Sequence, residues 1–176
     1  MKRILLSLLV CMAALGGLAA TSGDAGAATT RKLPSFELRD LQEKEMRLSD
    51  DQFKGKTLLI AAFGTWQEVS RTQARELEAF HKQHPEVEII AFVVDALPAA
   101  RDFVKAEGLT ISCYKADAST RIGTAFNRLF ETKKGKTITL NRLPFVILAD
   151  SNRNVRFANL GPTDAESMSA EYAKIK

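Results

Sequence analysis

The stretch that decides the fold reads TLLIAAFGTWQEVS at residues 57–70 and continues RTQARELEAF at residues 71–80. Its first half is continuously apolar, which is typical of a strand that is buried on both faces of a parallel sheet. Gly64 marks a tight turn, and a helix is predicted to begin near Trp66. The free N–H groups and the dipole of a first helical turn stabilise an anion, so a strand that leads into a helix in this way is a common place for chemistry.

This strand–turn–helix segment resembles the start of the thioredoxin-like fold, in its TlpA-like (redoxin, AhpC/TSA-related) branch. The consensus sequence of that family at this position is F-W-A-T-W-C-P-P-C-R, followed by a helix that ends L-E-A-L. The residues that match it without a gap are Phe63, Thr65, Trp66, Arg71, Leu77, Glu78 and Ala79. The two family cysteines fall on Gln67 and Ser70, and the acid that assists proton transfer in thioredoxins falls on Ala61. The resemblance therefore implies the family scaffold without its redox pair.

Two further segments make the resemblance nearly full length. Residues 33–41 (LPSFELRDL) and residues 48–55 (LSDDQFKG) match the family opening P-x-F-x-L-x-D-L … L-S-D-x-x-G-K. Residues 143–150 (LPFVILAD) match its strand that follows a proline, and the resemblance implies a cis peptide bond before Pro144, beside the active-site turn. The implied fold is α/β, a three-layer α/β/α sandwich with a mixed sheet and an N-terminal β-hairpin.

The pattern of apolar residues predicts the same alternation of strands and helices. Strands are predicted at 36–38, 45–48, 57–63, 87–95, 109–115, 143–150 and 154–160. Helices are predicted at 67–84, 98–107 and 119–130, with a helical turn at 49–55. A capping box at Thr163–Glu166 predicts a last helix with Met168, Tyr172 and Ile175 on one side.

The first 27 residues have the composition of a secretory signal. Two cations at residues 2–3 precede an apolar run of about 15 residues, which is short for a membrane span, and Ala25-Gly26-Ala27 forms an A-x-A cleavage site. We expect cleavage near Ala27, a single domain at residues 28–176 and a periplasmic or secreted protein, with an uncleaved N-terminal anchor as the alternative. Cleavage lowers the formal net charge from +4 to +3, because two cations and Asp24 are lost. So small a charge gives no indication of nucleic acid binding.

Gln67 and Ser70 occupy the positions where the family has reactive thiols. Glutamine does not ionise, and a serine hydroxyl needs a base to become a nucleophile. The two histidines of the chain, His81 and His84, are predicted at the far end of the same helix. Ser70 is therefore predicted to cap the helix or to be solvated, and no catalytic residue is assigned at this turn.

Cys113 is the one cysteine that remains after cleavage, because Cys11 lies in the signal. Its neighbours form a predicted strand, where a free cysteine is commonly a small buried hydrophobe. The alternative is a mixed disulfide with another protein. Glu78, His81 and His84 lie on one helical face, but a helix C-terminus accounts for such histidines and no third firm ligand is evident. No metal and no cofactor are predicted.

An insertion at about residues 128–141 is the largest departure from the family pattern. It carries Lys133, Lys134 and Lys136 and leads directly to Leu143 and Pro144. A charge run is commonly a solvated face, and a small hairpin that covers the former active face is the functional alternative.

Two functional hypotheses follow. The first is a binding module for a protein or peptide, with a surface formed by Trp66, Gln67, Leu143, Pro144 and the lysines of the insertion. The lysines would favour an acidic partner. The second is a thiol–disulfide oxidoreductase or peroxidase, as the family implies, acting through Cys113.

Overall fold

The computed structural model describes residues 31–116, Phe126, Leu129, Phe130 and residues 142–176. Its strands are β1 (Glu37–Arg39), β2 (Glu45–Arg47), β3 (Leu58–Gly64), β4 (Glu88–Val94), β5 (Cys113–Ala116), β6 (Phe145–Ala149) and β7 (Val155–Leu160). Its helices are a 3-10 turn (Asp51–Phe53), α1 (Glu68–Gln83), α2 (Leu97–Glu107) and α3 (Ala165–Ala173).

Five strands form one mixed sheet in the order β5-β4-β3-β6-β7. Strands β3, β4 and β5 are parallel, while β6 pairs with β3 in the antiparallel direction and β7 pairs with β6 in the same way. Strand β3 is central, and all seven of its residues are buried. The continuously apolar stretch is explained by this position, which has covered faces on both sides.

The alternation of side chains along β3 divides the core into two layers. Leu59, Ala61 and Phe63 face the layer that helices α1, α2 and α3 cover with Leu77, Phe80, Phe103 and Met168. Leu58, Ile60 and Ala62 face the opposite layer, which includes Leu38, Phe53 and Phe126. The predicted α/β thioredoxin-like architecture is confirmed.

The predicted N-terminal hairpin is also confirmed. Strands β1 and β2 pair antiparallel, with Leu38 opposite Met46. The 3-10 turn that follows places Phe53 in the core, and Gly55 adopts a positive φ of 68° that ends the turn.

The capping box predicted at Thr163 is wrong by one residue. The N-cap of α3 is Asp164, whose Oδ1 accepts a hydrogen bond from the Ser167 amide at 2.6 Å. Thr163 is instead buried, and its backbone is bound by Gln73 of α1: the amide donates to Oε1 at 2.8 Å and the carbonyl accepts from Nε2 at 3.0 Å. That pairing with α1 fixes Thr163 outside the helix.

Other boundaries differ less. Strand β5 begins at Cys113 rather than at Leu109, because Thr110 and Ile111 are bound by Glu78 of α1 instead of by a neighbouring strand. The helix predicted at 119–130 and the insertion, with Lys133, Lys134 and Lys136, lie outside the described residues except for three buried side chains, which are Phe126, Leu129 and Phe130. Within the described ranges, no helix combines the length and the apolar character that crossing a membrane requires.

Candidate functional site

The turn between β3 and α1 is held by a short series of hydrogen bonds. Gln67 is the N-cap of α1, and its amide donates to the Gly64 carbonyl at 3.5 Å. The Ser70 amide donates in turn to the Gln67 carbonyl at 3.0 Å. These bonds place Gln67 and Ser70 at the two ends of the first turn of α1, where a Cys-x-x-Cys pair would lie.

Ser70 has a structural role at this turn. It is completely buried, and its Oγ accepts a hydrogen bond from the Gly64 amide at 3.1 Å. The prediction that Ser70 caps the helix or is solvated is therefore wrong. The reason is that the Gly64 amide lies beyond the end of the β3–β6 pairing at Ala62 and needs an acceptor, which the Ser70 side chain supplies from within the helix.

Gln67 lies beside Ser70 and is half-buried. The Ser70 hydroxyl donates to Gln67 Oε1 at 3.4 Å, which is a long hydrogen bond, and the Gln67 side chain makes no capping bond to the helix. Ala61, where thioredoxins have an acid, is buried and pairs with Ala91 and Val146 in the sheet. Neither position supplies a group that titrates near neutral pH.

Trp66 is the most exposed large hydrophobic side chain of the described residues, with 57% of its surface accessible. Its ring lies across Gly64: a Cβ added to that glycine would meet the ring atoms Cζ2 and Cη2 at 2.8 Å. Val69, which is 36% exposed, follows it on the first turn of α1. Trp66 is thus held by contact with the backbone while its outer face remains open to solvent.

The loop that follows β4 contacts the turn between β3 and α1. The Thr65 hydroxyl donates to Asp95 Oδ2, and the Ala96 amide donates to Oδ1 of the same carboxylate at 2.6 Å. Asp95 follows the last residue of β4, so it connects the loops at the carboxyl ends of two adjacent parallel strands. This contact fixes the residue immediately before Trp66.

Leu143 and Pro144 lie at the same end of the sheet. In the register of β3 with β6, Ala62 pairs with Phe145, so continuing the pairing brings Pro144 beside Phe63 and Leu143 beside Gly64. The Leu143–Pro144 peptide bond is cis. Both side chains are buried, and the Pro144 carbonyl accepts a hydrogen bond from the Gly161 amide at 2.8 Å.

Cys113 is located away from this turn, as the first residue of β5. It is half-buried and packs against the helix-covered layer of the core. Burial, with a smaller contribution from the nearby negative charge of Glu78, raises the pKa of its thiol to about 12. A thiol with so high a pKa remains protonated at neutral pH.

Glu78 and His84, which lie on the same predicted helical face, meet different partners. Burial alone would raise the pKa of the Glu78 carboxyl, but hydrogen bonds from Ile111 and Thr110 outweigh it and hold that pKa below its ordinary value. His84 Nε2 lies 2.9 Å from Ser169 Oγ, and its ring contacts Phe80. Among the described residues, no three His, Cys, Asp or Glu side chains are grouped closely enough to hold a metal ion.

Sequence reasoning missed a charged cluster near the turn. The Glu107 carboxylate of α2 is 6% exposed and pairs with Arg71 and, at 3.1 Å, with Arg75 of α1. Arg71 also lies over the Phe103 ring, 5.4 Å from its centroid. No local pattern indicates such a contact, because its partners are more than thirty positions apart in the sequence. It connects α1 to α2 directly behind the candidate site.

Residues 28–175 match the family model described as Redoxin. The chain belongs to the Redoxin family. Several solved structures of thiol–disulfide proteins resemble this Redoxin domain in fold at low sequence identity. A thiol:disulfide interchange protein of Chlorobium tepidum superposes with a TM-score of 0.70 at 20% identity, over 84% of this chain and 97% of that one.

Two other structures give the same result. A thiol-disulfide oxidoreductase of Bacteroides fragilis matches with a TM-score of 0.66 at 15% identity, over 83% of this chain and 100% of that one. A secreted disulfide oxidoreductase of Mycobacterium tuberculosis matches with a TM-score of 0.59 at 15% identity, over 79% of this chain and 95% of that one. No curated protein matches this sequence.

Proposed function

We propose that this protein is an exported Redoxin-family domain that binds a protein or peptide partner without exchanging disulfides. The observation that carries the proposal is the state of the active-site turn. Trp66 is held open to solvent there, whereas the two positions that exchange requires are occupied by Gln67 and a fully buried Ser70. A surface of this kind can still bind a partner through the exposed tryptophan, but it lacks the pair of thiols that disulfide exchange requires.

The chemistry of exchange supports this conclusion. Thiol–disulfide exchange needs an attacking thiolate and, for turnover within one protein, a second thiol that resolves the mixed disulfide. The Ser70 hydroxyl is instead occupied by the Gly64 amide and Gln67 Oε1. No histidine or carboxylate is hydrogen-bonded to Ser70 among the described residues, so nothing there activates it as a nucleophile.

The alternative function is an oxidoreductase or peroxidase that acts through Cys113. A pKa of about 12 leaves roughly one thiol in 10⁵ ionised at pH 7, which is unfavourable for a nucleophile. Cys113 also lies on the edge strand β5, two strands away from β3 and its turn. These observations favour binding over one-cysteine catalysis.

The proposed binding surface comprises Trp66, Gln67 and the backbone of Leu143, with Pro144 beneath it. An exposed tryptophan at the centre of such a surface is a frequent energetic hot spot. Lys133, Lys134 and Lys136 of the insertion precede Leu143 in the sequence by seven to ten residues. Their positive charge would favour an acidic partner and would accelerate its association at low salt. We further propose that residues 1–27 are a cleaved secretory signal, which would place the partner in the periplasm or outside the cell.

The test compares capture of partners by three forms of the mature chain, immobilised and exposed to periplasmic or secreted extract. The first is wild type, the second is Trp66→Ala, and the third carries Lys133, Lys134 and Lys136 all changed to Glu. We expect both variants to lose at least one protein that wild type retains. A control with the same charge change, in which Lys54, Lys82 and Lys105 on the described surface become Glu, should capture as wild type does.

An insulin-reduction assay on the same preparations separates the two functions. We expect no turnover above the rate with dithiothreitol alone. Turnover comparable to that of a thioredoxin, abolished in Cys113→Ser, would contradict the binding proposal and support the oxidoreductase. Equal capture by wild type and both variants, with circular dichroism unchanged, would show that the surface around Trp66 does not bind partners.

A further inference from the structure

Strand β7 forms one edge of the five-stranded sheet, and its outer side is largely unpaired among the described residues. The Gly161 amide donates to the Pro144 carbonyl, so the backbone of residue 161 faces the β6 side. Backbone groups alternate in direction along an antiparallel strand, which places those of Ala158 and Leu160 on the outer side. No described residue pairs with these outward groups.

The beginning of the same edge already accepts an extended chain. The Val155 amide donates to the Arg31 carbonyl at 2.7 Å, and the Leu33 amide donates to the Arg153 carbonyl at 2.8 Å. These bonds form an antiparallel bridge between Lys32 and Asn154. An irregularity in the β6–β7 register near the start of β7 reverses the alternation, which explains why Val155 also points outward. The described bridge ends there, before Ala158.

In the described part of the chain, the remaining part of the edge lacks the features by which proteins usually block strand addition. Proline, lysine and other charged side chains discourage pairing at an edge, as does a covering segment. Residues 157–160 read Phe-Ala-Asn-Leu and contain none of these residues. The opposite edge differs, because Asp40 bridges Tyr114 in the four-residue strand β5.

Among the described residues, the charges beside β7 are mostly positive, and a single carboxylate pairs with them. Three cations are bound to backbone carbonyls: Arg31 to Leu129, Lys32 to Asn152, and Arg153 to Phe53 and Lys56. Within the part of the chain that the structure describes, Arg156 is the one of these cations that meets a carboxylate, that of Asp150 at 2.8 Å. These four cations therefore have one carboxylate partner among the described residues. An acidic segment is complementary to such an edge.

We infer that the outer edge of β7 binds an extended acidic segment of a partner protein, which adds to the sheet as a strand. The backbone of Ala158 and Leu160 supplies the hydrogen bonds, and the cations at Arg31 and Lys32 select acidic residues. Main-chain pairing of this kind gives affinity to an added strand, while side chains determine its specificity. The site lies on the outer side of β7, on the far side of that strand from β6, and its hydrogen bonds do not involve Trp66.

The probe is a fluorescein-labelled octapeptide that alternates Val and Thr and has two Asp residues at one end. We expect saturable binding in fluorescence polarisation and, by NMR hydrogen exchange, new protection of the Ala158 and Leu160 amides. A peptide of the same sequence with alternate backbone nitrogens methylated should bind at least about tenfold more weakly, because it cannot pair along the edge. Equal binding of both peptides would overturn the proposal.

Two variants complete the test. Ala158→Pro removes an outward donor that the β6 pairing does not use, so it should abolish binding and leave the fold intact by circular dichroism. Lys32→Glu should weaken binding about threefold, whereas Lys82→Glu on the exposed surface of α1 and Trp66→Ala should leave it unchanged. Lys32→Glu and the methylated peptide still decide the question if Ala158→Pro fails to fold.

Three further results would also refute the inference. Protection of the Ala158 and Leu160 amides before any peptide is added would mean that another part of this chain already covers the edge. A dimer in sedimentation that Ala158→Pro dissociates would assign the edge to a second copy. Loss of peptide binding in Trp66→Ala would place the peptide at the other surface.

Discussion

The Gly64 amide donates a hydrogen bond to the buried Ser70 hydroxyl at 3.1 Å. This bond joins the end of the central strand to the first turn of α1. It accounts for the presence of a small hydroxyl residue at a position where the family has a thiol: the hydroxyl accepts a stronger hydrogen bond than sulfur does, and it does so without reactive chemistry. The former active-site turn has thus become a structural connection beneath an exposed tryptophan.

The first prediction is that Ser70→Ala destabilises the protein by about 1–3 kcal/mol, because it leaves the buried Gly64 amide without an acceptor. The measurement is the free energy of unfolding from urea titration. Ser35→Ala, at an exposed serine, is the matched control and should change that free energy by less than about 0.5 kcal/mol. Equal effects of the two substitutions would show that the Gly64–Ser70 bond contributes nothing.

The second prediction concerns the contact between Gly64 and Trp66. In Gly64→Ala the new Cβ would lie 2.8 Å from two ring atoms, so the indole must move away from the backbone. Trp66 is the only tryptophan of the chain, and we expect a changed emission maximum or quantum yield together with some loss of stability. Gly108→Ala is the control, since its positive φ of 63° makes that substitution strained while no atom lies near the new Cβ. It should destabilise the protein and leave the emission of the folded state unchanged.

Local pattern was sufficient to predict the strand, the turn and the helix at residues 57–80, because burial on both faces of β3 and on one face of α1 imposes the periodicity directly. It failed where a distant residue determines the local state. The Ser70 hydroxyl is buried because the end of β3 requires an acceptor. Thr163 is excluded from its helix by Gln73, ninety positions away. Such contacts exist only after the sheet and the helices have packed, so no window of sequence contains them.

The third prediction concerns the pH dependence of Cys113. Because its thiol pKa is raised to about 12, the rate of alkylation by iodoacetamide in the folded protein should increase with pH up to pH 10 without reaching a plateau. In denaturant the same thiol should react much faster at pH 8 and level off above its ordinary pKa near 9.0. The difference also affects stability. Ionisation of the thiol favours the unfolded chain, so stability contributed by the neutral thiol is present below pH 9 and is lost as the pH rises towards 12.

Glu78 offers a check on the cause of that shift. Burial is the main cause, and the negative charge of Glu78 adds to it. Glu78→Gln should therefore accelerate alkylation of Cys113 modestly, whereas Glu37→Gln in the exposed strand β1 should not. Equal alkylation rates for Cys113 in folded and denatured wild type would contradict the burial of the thiol. Cys113 would then be a candidate nucleophile again.

The last prediction is that Gln67→Cys combined with Ser70→Cys restores a disulfide. The two side chains already approach each other, with Ser70 Oγ and Gln67 Oε1 3.4 Å apart, and they lie at the ends of one helical turn. The helix N-terminus should lower the pKa of the thiol at position 67, because the free amides of the first turn stabilise a thiolate. We expect mild oxidation to reduce the mass by two hydrogens and to leave Cys113 as the single reactive thiol in denaturant. The control is Gln67→Cys with Val69→Cys, whose side chains point to different sides of the helix and should remain reduced.

Turnover of insulin by the restored pair should stay slow, because Ala61 supplies no acid for proton transfer. Three reactive thiols in denaturant after oxidation of the Gln67→Cys/Ser70→Cys protein, counting Cys113, would mean that this turn does not have the geometry of the family's active site.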